Sequence, residues 1–540
     1  MRADLSLKHL ALVIAATVLP LLPFLDKAFH IDDPLFIWTA KQILKEPLDF
    51  YGFTGNWFGL ETPAYLFIKN PPLASYYIAV VGLFAGFSEK AIHIAFLVPA
   101  AFASAGVYVL AARFTGRPLI AALATIATPG FLVSSTTVMC DVLMLAFWVW
   151  AIVFWMKGVD ENRPSYLAFG AVLVALAALT KYFGISLIPL LAAYSVMKGR
   201  KGMSSLLFLL VPIAVLAAYH VYTDSLYGRG LLLDASAYAT GFRSKSSGID
   251  AFGKAFVGLA FAGGCTITAL FFLPSIRGRR AVAAGAALSV LGAFYVYWKG
   301  TLGSADIIQK YGWWYVPQLA LYASAGAGII ALVAGDLIKR RNAESALLAL
   351  WVAGTLVFAV YMNWTINARS LLALVPAVSI LIMRDAEGKS RAATLYVPLI
   401  LSFAVSFMVA RADYLHANSA REVSKRIFET YSQQGKKAVW YRGHWGLQYY
   451  MDGLGGRQLV FSSMAGEGDL IVIPSNNTNI GKKYLQESFY QIDEIGVKPR
   501  LLNVMNHACG AGFYSNEWGA LPFVIHPDCA ENYRIFLNAS

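Results

Sequence analysis

The sequence predicts an α-helical polytopic membrane protein of about thirteen transmembrane helices, with a long first outer loop of interfacial helices and a small C-terminal soluble α/β domain. Three observations predict this fold class. Hydrophobic residues make up 58% of the chain and charged residues only 14%, against about 25% charged in a typical soluble domain. Apolar runs of roughly 20 residues, the length that crosses a bilayer, recur from Leu10 to Ala410. Basic residues fall in short clusters between those runs.

Apolar runs and helix breakers place thirteen spans, near residues 10–28, 91–111, 118–136, 142–157, 164–179, 183–197, 204–222, 253–275, 281–298, 313–335, 345–361, 370–384 and 392–410. Lys and Arg resist translocation, so basic clusters mark the inner side of a membrane. With the N-terminus inside, thirteen crossings put all the basic clusters on the inner face. These clusters are Arg113 with Arg117, Lys198–Lys201, Arg277–Arg280, Lys339–Arg341 and Arg384–Arg391. The net charge of +13 therefore indicates topology rather than a nucleic-acid-binding surface.

The odd number of crossings divides the chain into two predicted domains. Residues 1–410 form the membrane domain, and residues 411–540 form an outer α/β domain. The C-terminal residues are polar, with short apolar strands such as Asp469–Ile473 separated by Gly, Asn and Asp. They also contain Cys509 and Cys529, which are able to pair in an oxidising compartment.

Two outer segments of the membrane domain are long. Residues 29–90 hold a helix start at Asp33-Pro34 followed by apolar residues at helical spacing, and aromatic residues of the type found at the headgroup level. We interpret this segment as helices lying along the outer interface. Residues 223–252 are rich in Gly, Ser and Tyr, which favours a mobile loop over a cleft.

Six charged residues lie where an apolar run meets the predicted outer face: Asp32, Asp33, Lys69, Asp141, Lys181 and Arg369. Charge at such a position is costly and needs a partner or a function. Three of the six are cations, on the side where positive charge is disfavoured. A phosphate is the natural counter-ion, because Lys offers a point charge and Arg a fork that matches phosphate oxygens.

The acidic residues have structural interpretations as well. Asp33 precedes Pro34 and fits a helix N-cap, whereas Asp32 has no such role and is the better candidate for a general base. Asp141 fits an acid that is stabilised at a helix start. His30 is isolated in the sequence, and no spacing of His, Cys and Asp predicts a zinc site.

The cations also have a simpler interpretation as anchors of their spans at the membrane interface. Lys69, in the run Lys69-Asn70-Pro71-Pro72, resembles a lysine that snorkels to the interface. Lys181, which precedes Tyr182, and Arg369 lie in gaps between spans and fit interfacial anchors. Both nevertheless lie on the side where cations are disfavoured, which keeps the phosphate interpretation open.

This arrangement resembles the GT-C superfamily of membrane glycosyltransferases, most closely its protein O-mannosyltransferase and lipid A aminoarabinose transferase group (glycosyltransferase family 39/83). The resemblance covers roughly residues 10–410. It is carried by His30-Ile31-Asp32-Asp33-Pro34, Lys69-Asn70-Pro71-Pro72-Leu73, Asp141, Leu179-Thr180-Lys181-Tyr182 and Asn367-Ala368-Arg369. Thirteen spans and an outer C-terminal domain also match that group. This sequence differs from the family in its Asp-Asp pair, in the inserted Asn70 and in Ser370, where many relatives have Tyr.

The resemblance implies an inverting transferase that takes a sugar from a polyprenyl-phosphate-linked donor. Asp32 would take the proton of an acceptor hydroxyl, and cations would stabilise the departing lipid phosphate. The implied roles are catalytic for Asp32 and Asp33, donor phosphate binding for Lys69, Lys181 and Arg369, and substrate positioning for Asp141, Tyr182 and Asn70. No cofactor is expected, and a monoester phosphate held by cations does not strictly require a metal ion.

The expected partners are the polyprenyl-phosphate sugar donor, a glycolipid or protein acceptor and membrane lipids, with no nucleic acid. The sequence lacks the extra domains of the eukaryotic protein mannosyltransferases, which favours a bacterial inner membrane with the site and the C-terminus on its periplasmic side. Two alternatives stay open. A secondary transporter predicts ionisable residues near the bilayer midplane and an internal repeat. A non-catalytic polyprenyl-phosphate binding protein would use the same cations without needing Asp32.

Overall fold

In a computed structural model, α-helices form most of the chain. The structure describes residues 5–245, 251–277, 279–298, 305–431, 438–460, 465–478, 480, 489–497, 501–527 and 529–539. Its α-helices are α1 (Leu7–Leu21), α2 (Asp33–Lys45), α3 (Ala64–Phe67), α4 (Leu73–Ala85), α5 (Glu89–Phe114), α6 (Pro118–Ile126), α7 (Pro129–Ser135), α8 (Asp141–Glu161), α9 (Pro164–Thr180), α10 (Leu187–Met197), α11 (Arg200–Met203), α12 (Leu210–Tyr227), α13 (Leu231–Lys245), α14 (Ala251–Cys265), α15 (Thr268–Arg277), α16 (Arg279–Trp298), α17 (Ala305–Arg340), α18 (Ala343–Val357), α19 (Ala368–Leu371), α20 (Val375–Ala386), α21 (Tyr396–Tyr431) and α22 (Trp445–Gly453).

Within the described ranges, seven helices are long and apolar enough to cross a membrane. A helix rises about 1.5 Å per residue, so about 20 residues span the hydrocarbon core. The seven are Leu7–Phe24, Glu89–Phe114, Asp141–Glu161, Ser204–Tyr227, Trp314–Arg340, Ala343–Met362 and Ala392–Tyr431. The chain is therefore a multi-pass membrane protein. Two bent helix pairs raise the number to nine, and four further apolar helices are shorter, so the total of thirteen stays a prediction.

Two of the predicted spans are broken helices. α6 meets α7 at 63°, and α14 meets the first part of α15 at 84°. The first break falls at Thr128-Pro129, because Pro129 has no N–H to continue the helix and the Thr128 hydroxyl instead accepts from the Phe131 N–H at 3.2 Å. This bend leads the chain into the loop before α8, which carries Asp141.

The outer segment 29–90 contains the helices α2, α3 and α4, which agrees with the prediction that it is helical. α2 begins at Asp33, with Pro34 in its first turn, where a missing N–H breaks no helical hydrogen bond. α3 and α4 follow a two-stranded antiparallel hairpin of β1 (Thr54–Asn56) and β2 (Glu61–Pro63). α2 packs against α4 and also against α22 of the C-terminal region.

The C-terminal region contains a five-stranded mixed sheet, which agrees with the predicted α/β domain. Its strands and those of two short pairings are β3 (Val439–Tyr441), β4 (Arg457–Gln458), β5 (Leu470–Pro474), β6 (Phe489–Val497), β7 (Leu502–Asn503), β8 (Met505–Asn506), β9 (Ala511–Gly512), β10 (Val524–Ile525) and β11 (Glu531–Asn538). The sheet order is β4-β3-β5-β11-β6, with β3 parallel to both neighbours and β11 antiparallel to both of its own. α21 continues without a break through residue 410 and packs against α22, so the predicted boundary at 410/411 lies inside a helix and stays a prediction.

Four of the predicted inner clusters contribute to ion pairs or hydrogen bonds at one end of the helix bundle. Arg113, at the end of α5, pairs with Asp160 of α8. The Lys198 Nζ lies 3.3 Å from Asp160 and 2.7 Å from Glu344. Elsewhere on this face, Arg117 donates to the Ser390 carbonyl at 2.6 Å, and Lys339 pairs with Asp385 at 3.5 Å. The fifth cluster, Arg277–Arg280, lies outside the described side chains.

Candidate active site

Four of the predicted site residues form one connected ion-paired group, which we call the outer charge group: Asp32, Asp141, Lys181 and Arg369. Arg369 bridges the two acids, its Nε donating to Asp141 Oδ2 at 2.8 Å and its Nη1 to Asp32 Oδ2 at 2.7 Å. The Lys181 Nζ donates to the other oxygen of Asp141 at 2.6 Å. Residues as far apart as 32 and 369 in sequence therefore meet, as their common predicted side requires.

The ends of helices place these four side chains. Asp141 is the first residue of α8, where the helix dipole favours an acid. α9 runs back along α8 after a two-residue link, so Lys181, which follows the last residue of α9, returns to the start of α8. Arg369 lies in the short helix α19, whose first turn is fixed by the Asn367 side chain accepting from the Ser370 N–H at 2.8 Å.

The outer charge group and the inner ion pairs lie at opposite ends of the same helix. Asp141 starts α8 and Asp160 lies near its end, which at 1.5 Å per residue separates them by about 30 Å. That is the thickness of a bilayer core. The two charged layers of the protein are therefore separated as the positive-inside pattern predicts.

Burial differs sharply within the outer charge group. The side chains of Asp141 and Arg369 are 1% and 10% exposed, whereas Asp32 is 30% exposed. Both oxygens of Asp141 are engaged by cations, so this acid is the shared counter-ion of Lys181 and Arg369. Asp32 is the group's accessible acid, and its contact with Arg369 uses only Oδ2.

Asp33 is fully buried, and its hydrogen-bond partners lie outside the outer charge group. Its Oδ2 accepts from the His30 N–H at 3.1 Å, and its Oδ1 accepts from the Val138 N–H at 3.0 Å. Asp33 is thus the first residue of α2 and also a link between the outer segment and the loop before α8. Both carboxylate oxygens are engaged by the backbone, which leaves Asp32 as the acid of the pair that reaches solvent.

Lys69 and Asn70 lie beside the outer charge group. The Lys69 Nζ pairs with Asp234 of α13 at 2.5 Å and lies 5.3 Å from the centre of the Tyr238 ring. Burial, followed by the charges of Asp32 and Glu517, raises the pKa of Tyr238 to about 12, which places this tyrosine in the electrostatic field of Asp32. Lys69 is therefore near the group through Tyr238 and carries a carboxylate partner of its own.

Asn70 and Tyr182 take part in hydrogen bonds next to the site. The Asn70 side-chain oxygen is 3.7 Å from the Cys140 sulfur, one residue before Asp141, and its carbonyl accepts from the Tyr51 hydroxyl. The Tyr182 hydroxyl bonds to the Tyr219 hydroxyl of α12 at 3.0 Å. These contacts support the walls of the site and lie outside the outer charge group.

The segment 223–252 is mostly helical where the structure describes it, so the expected loop is wrong over most of its length. α12 continues to Tyr227, and α13 covers Leu231–Lys245, while residues 246–250 lie outside the described residues. The turn between the helices is closed at Gly228, whose φ of +65° suits a glycine. The helix α13 carries Asp234 and Tyr238 over Lys69.

The structure contains a second charged group that the sequence pattern does not predict. His30, although isolated in the sequence, belongs to it. Lys27 pairs with Asp413 of α21, and both side chains are fully buried. His30 Nε2 lies 3.2 Å from Asp413, and the Tyr514 hydroxyl lies 3.0 Å from each oxygen of Asp413. A signal was present, because Lys27 is an ionisable residue inside a predicted span and such residues need a partner.

The C-terminal region braces the segment that carries Arg369. The Phe513 carbonyl accepts from the Ala368 N–H at 2.8 Å, and the Asn516 side chain accepts from the Ile366 N–H at 2.8 Å. Nearby, Cys509 and Cys529 form a disulfide, with their Cα atoms 5.9 Å apart. The pairing that the sequence allowed is therefore present, and it holds the C-terminal segment that borders the site.

Part of the chain is similar to a known protein family. Residues 69–223 match the sequence profile described as dolichyl-phosphate-mannose-protein mannosyltransferase. A search of curated proteins gave no match. The oligosaccharyltransferase of Archaeoglobus fulgidus, tethered with an acceptor peptide, is 11% identical at a TM-score of 0.47, over 85% of this chain and 65% of that protein, so this chain spans about two thirds of its length. ArnT from Cupriavidus metallidurans, bound to undecaprenyl phosphate, is 13% identical at a TM-score of 0.43, over 87% and 92%.

The matched segment contains five of the predicted site residues, Lys69, Asn70, Asp141, Lys181 and Tyr182. Asp32 and Arg369 lie outside it and join it through the ion pairs described above. The match over residues 69–223 agrees with the predicted resemblance to the protein O-mannosyltransferase group.

Proposed function

We propose that this chain is an inverting glycosyltransferase that moves a sugar from a polyprenyl-phosphate-linked donor to a glycolipid or protein acceptor at the outer face of the membrane. The observation that carries the proposal is the outer charge group. In it, an accessible carboxylate is hydrogen-bonded to an arginine that also shares a buried acid with a lysine. A base and two cations within one connected group suit a reaction that removes a proton and releases a phosphate.

Asp32 is the proposed general base. The acceptor oxygen forms a bond to the anomeric carbon as the bond from that carbon to the phosphate oxygen breaks, and the configuration of the carbon inverts. The acceptor's proton goes to Asp32, and the electron pair of the broken bond goes to the lipid phosphate. Asp32 suits this step because it is 30% exposed and accepts only through Oδ2 in the contact with Arg369.

Lys69, Lys181 and Arg369 are the proposed phosphate-binding residues. The donor is a phosphodiester, and the leaving lipid phosphate gains a second negative charge that cations stabilise most in a site of low dielectric. Lys181 and Arg369 are held together by Asp141, which keeps two cations close without mutual repulsion. The description of the matching family names dolichyl-phosphate mannose, a lipid-phosphate-linked sugar of this kind.

The remaining predicted residues have positioning roles in this proposal. Asp141 orients the two cations that share it. Asp33 fixes the turn that presents Asp32, through its two backbone contacts. Asn70 and Tyr182 shape the wall beside Lys69 and Lys181.

We place the site and the C-terminal region on the periplasmic side of a bacterial inner membrane. Two features support this orientation. The basic clusters collect at the far end of α8 from Asp141, and basic clusters favour the cytoplasmic side. The Cys509–Cys529 disulfide belongs to an oxidising compartment such as the periplasm.

The test is a transfer assay with the purified full chain in lipid nanodiscs, a panel of synthetic polyprenyl-phosphate sugars, and membrane glycolipids or peptides as acceptors, read by mass spectrometry. Asp32→Asn is expected to lower transfer about 10²- to 10⁴-fold, the usual contribution of a general base, while binding of polyprenyl phosphate is retained. Asp26→Asn is the matched control, because this exposed acid lies six residues upstream. Full transfer by a folded Asp32→Asn protein would overturn the base assignment.

The binding-protein alternative makes a different prediction for the same variants. A non-catalytic polyprenyl-phosphate binding protein would bind the lipid, transfer no sugar from the panel, and show no effect of Asp32→Asn. Arg369→Ala should abolish lipid binding under both functions. A secondary transporter would instead move the sugar lipid across the bilayer without forming a glycosylated acceptor.

A further inference from the structure

The second charged group includes Asp33 of the acidic pair and is almost completely buried. We call it the buried charge group: Lys27, His30, Asp33, Asp413 and Tyr514. The side chains of Lys27, Asp33 and Asp413 are fully buried, and that of His30 is 4% exposed. The group joins the first outer segment, α21 and the C-terminal region in one network.

The geometry around His30 indicates a protonated ring. Its Nδ1 lies 3.5 Å from Asp33 Oδ2, and its Nε2 lies 3.2 Å from Asp413 Oδ1. An ionised carboxylate only accepts hydrogen bonds, and a neutral imidazole donates from one nitrogen only. Both contacts are satisfied at once when the ring is an imidazolium.

The charge balance of the buried group leads to the same assignment. Lys27 and a protonated His30 carry two positive charges, which balance the two carboxylates of Asp33 and Asp413. A neutral His30 would leave one unbalanced negative charge in an enclosed site, which is costly. Burial and the charge of Lys27 push the pKa of His30 down, but the carboxylates of Asp413 and Asp33 push it up further, so that the pKa of His30 is raised overall.

The other groups that face His30 do not alter this balance. The Tyr514 ring packs edge-on against the His30 ring at 5.3 Å, and its hydroxyl is bonded to Asp413. His416 of α21 lies 6.1 Å away, ring to ring, and has its own carboxylate partner, Glu531, at 3.1 Å.

The turn between His30 and Asp33 is strained and ends at the candidate base. Ile31 has a φ of +51°, a conformation that is unfavourable for a β-branched residue and persists only where the surroundings impose it. On one side of it the His30 ring is held by two carboxylates; on the other, Asp33 is held by the Val138 N–H. Asp32 lies between these anchors, so its direction depends on both.

We propose that His30, held as an imidazolium between two buried carboxylates, is a positioning residue that fixes the turn carrying Asp32. Tyr514 extends this role to the C-terminal region, because its hydroxyl bonds to both oxygens of the carboxylate that holds the His30 ring. The inference rests on the proposed role of Asp32. It also predicts that transfer depends on pH, because loss of the His30 proton would leave an unbalanced negative charge in the buried charge group and free the turn.

The first test does not depend on activity. Thermal unfolding of the full chain is measured between pH 5.5 and 9 (from about one unit below the free imidazole pKa to about 2.5 units above it) for wild type, His30→Gln and the control His507→Gln, an exposed histidine of the C-terminal region. A raised pKa stabilises the fold fully below pH 6.5, and this contribution is lost as pH rises through the folded value. Wild type and His507→Gln should lose stability over that range, and His30→Gln should lack this loss. An identical pH dependence in all three would overturn the imidazolium assignment.

The second test uses transfer. His30→Gln is expected to lower kcat about 10- to 100-fold, the effect of a small misplacement of a reacting group, with the donor KM within about threefold of wild type and the alkaline decline of kcat removed. A folded His30→Gln protein with wild-type kcat would overturn the positioning role. If His30→Gln does not fold, Tyr514→Phe replaces it: the variant keeps the histidine and its charge, and kcat should fall while the alkaline decline remains. Unchanged kcat in Tyr514→Phe would overturn the role equally.

Failure of the proposed function would be recognised separately. A wild-type chain that binds polyprenyl phosphate but transfers no sugar would overturn the proposed function and the positioning role with it. The charge of His30 would still be decided by the unfolding measurement, which requires no substrate.

Discussion

Arg369→Lys tests whether the bridge between the two acids matters, or only a positive charge at this position. Arg369 reaches Asp141 and Asp32 through two different nitrogens, Nε at 2.8 Å and Nη1 at 2.7 Å. Lysine keeps the charge but offers a single nitrogen on a flexible stem, and cannot reproduce the planar fork. One of the two charge-assisted hydrogen bonds should therefore be lost, and Asp32, the more exposed acid, is the one that we expect to be released.

The magnitude follows from that single lost contact. A hydrogen bond to a charged group contributes about 1.5–3 kcal/mol, and about 1.36 kcal/mol corresponds to a factor of ten. The kcat/KM of transfer should fall about 10- to 150-fold in Arg369→Lys, with less effect on binding of polyprenyl phosphate, because the cation remains. The assay is the nanodisc transfer reaction together with lipid binding by the same preparation.

Arg163→Lys is the matched control, because the Arg163 side chain is 61% exposed and lies 3.5 Å from a single acid, Glu161. It should leave both transfer and lipid binding unchanged. If Arg369→Lys transfers sugar within threefold of wild type, the bridge has no role in catalysis and the reasoning from the outer charge group is refuted.

Three further outcomes are expected from the contacts outside that group. Asp234→Asn removes the carboxylate that pairs with Lys69 at 2.5 Å. Because a partly exposed ion pair contributes about 1 kcal/mol, polyprenyl phosphate should bind up to about fivefold tighter, and a Kd that is unchanged or larger would contradict this. Cys509→Ser removes a disulfide between residues 20 positions apart and should lower the free energy of unfolding by about 3 kcal/mol, measured by thermal unfolding in detergent. Labelling of Cys509 and Cys529 as free thiols in the native chain would exclude the bond. Burial lowers the pKa of His444 to about 4 from 6.5, so the folded state disfavours the protonated ring. The stability that the neutral ring contributes is complete above pH 6.5, and about 3 kcal/mol of it is lost as pH falls to 4. This loss should be absent in His444→Asn, which is checked by measuring unfolding as a function of pH.

Features that depend on one-dimensional pattern were predictable. Apolar runs and basic clusters reflect the cost of placing charge in a bilayer. The sequence therefore predicts which helix ends lie on the same side of the membrane. The same cost singles out Asp32, Asp141, Lys181 and Arg369 as charges at the ends of apolar runs. Their connection in the outer charge group follows from their common side, although the sequence has no means of showing that Arg369 lies between the two acids.

Features that depend on distant pairing were not predictable. Lys27 pairs with Asp413 across 386 residues, and neither residue indicates its partner in a single sequence. Lys69 was expected to be available to a phosphate, and its partner Asp234 lies in a segment whose Gly, Ser and Tyr content favours a loop. α13 forms there because contacts with the rest of the fold override weak local preference, as tertiary packing often does.

The bridge made by Arg369 suggests how proton transfer and phosphate release are coupled in the proposed reaction. Asp32 and the leaving phosphate change charge together: the carboxylate loses its negative charge as it takes the acceptor's proton, and the phosphate gains one as the glycosidic bond breaks. The total charge of the site is therefore constant, which matters because Asp141 and Arg369 are buried and an uncompensated charge there would be costly. As Asp32 becomes neutral, its hold on the Nη1 of Arg369 weakens, and this N–H becomes free for the phosphate at the moment its charge develops. A donor used only in the transition state lowers the barrier without tightening the ground state, which is why the arginine fork, rather than a positive charge alone, should determine kcat.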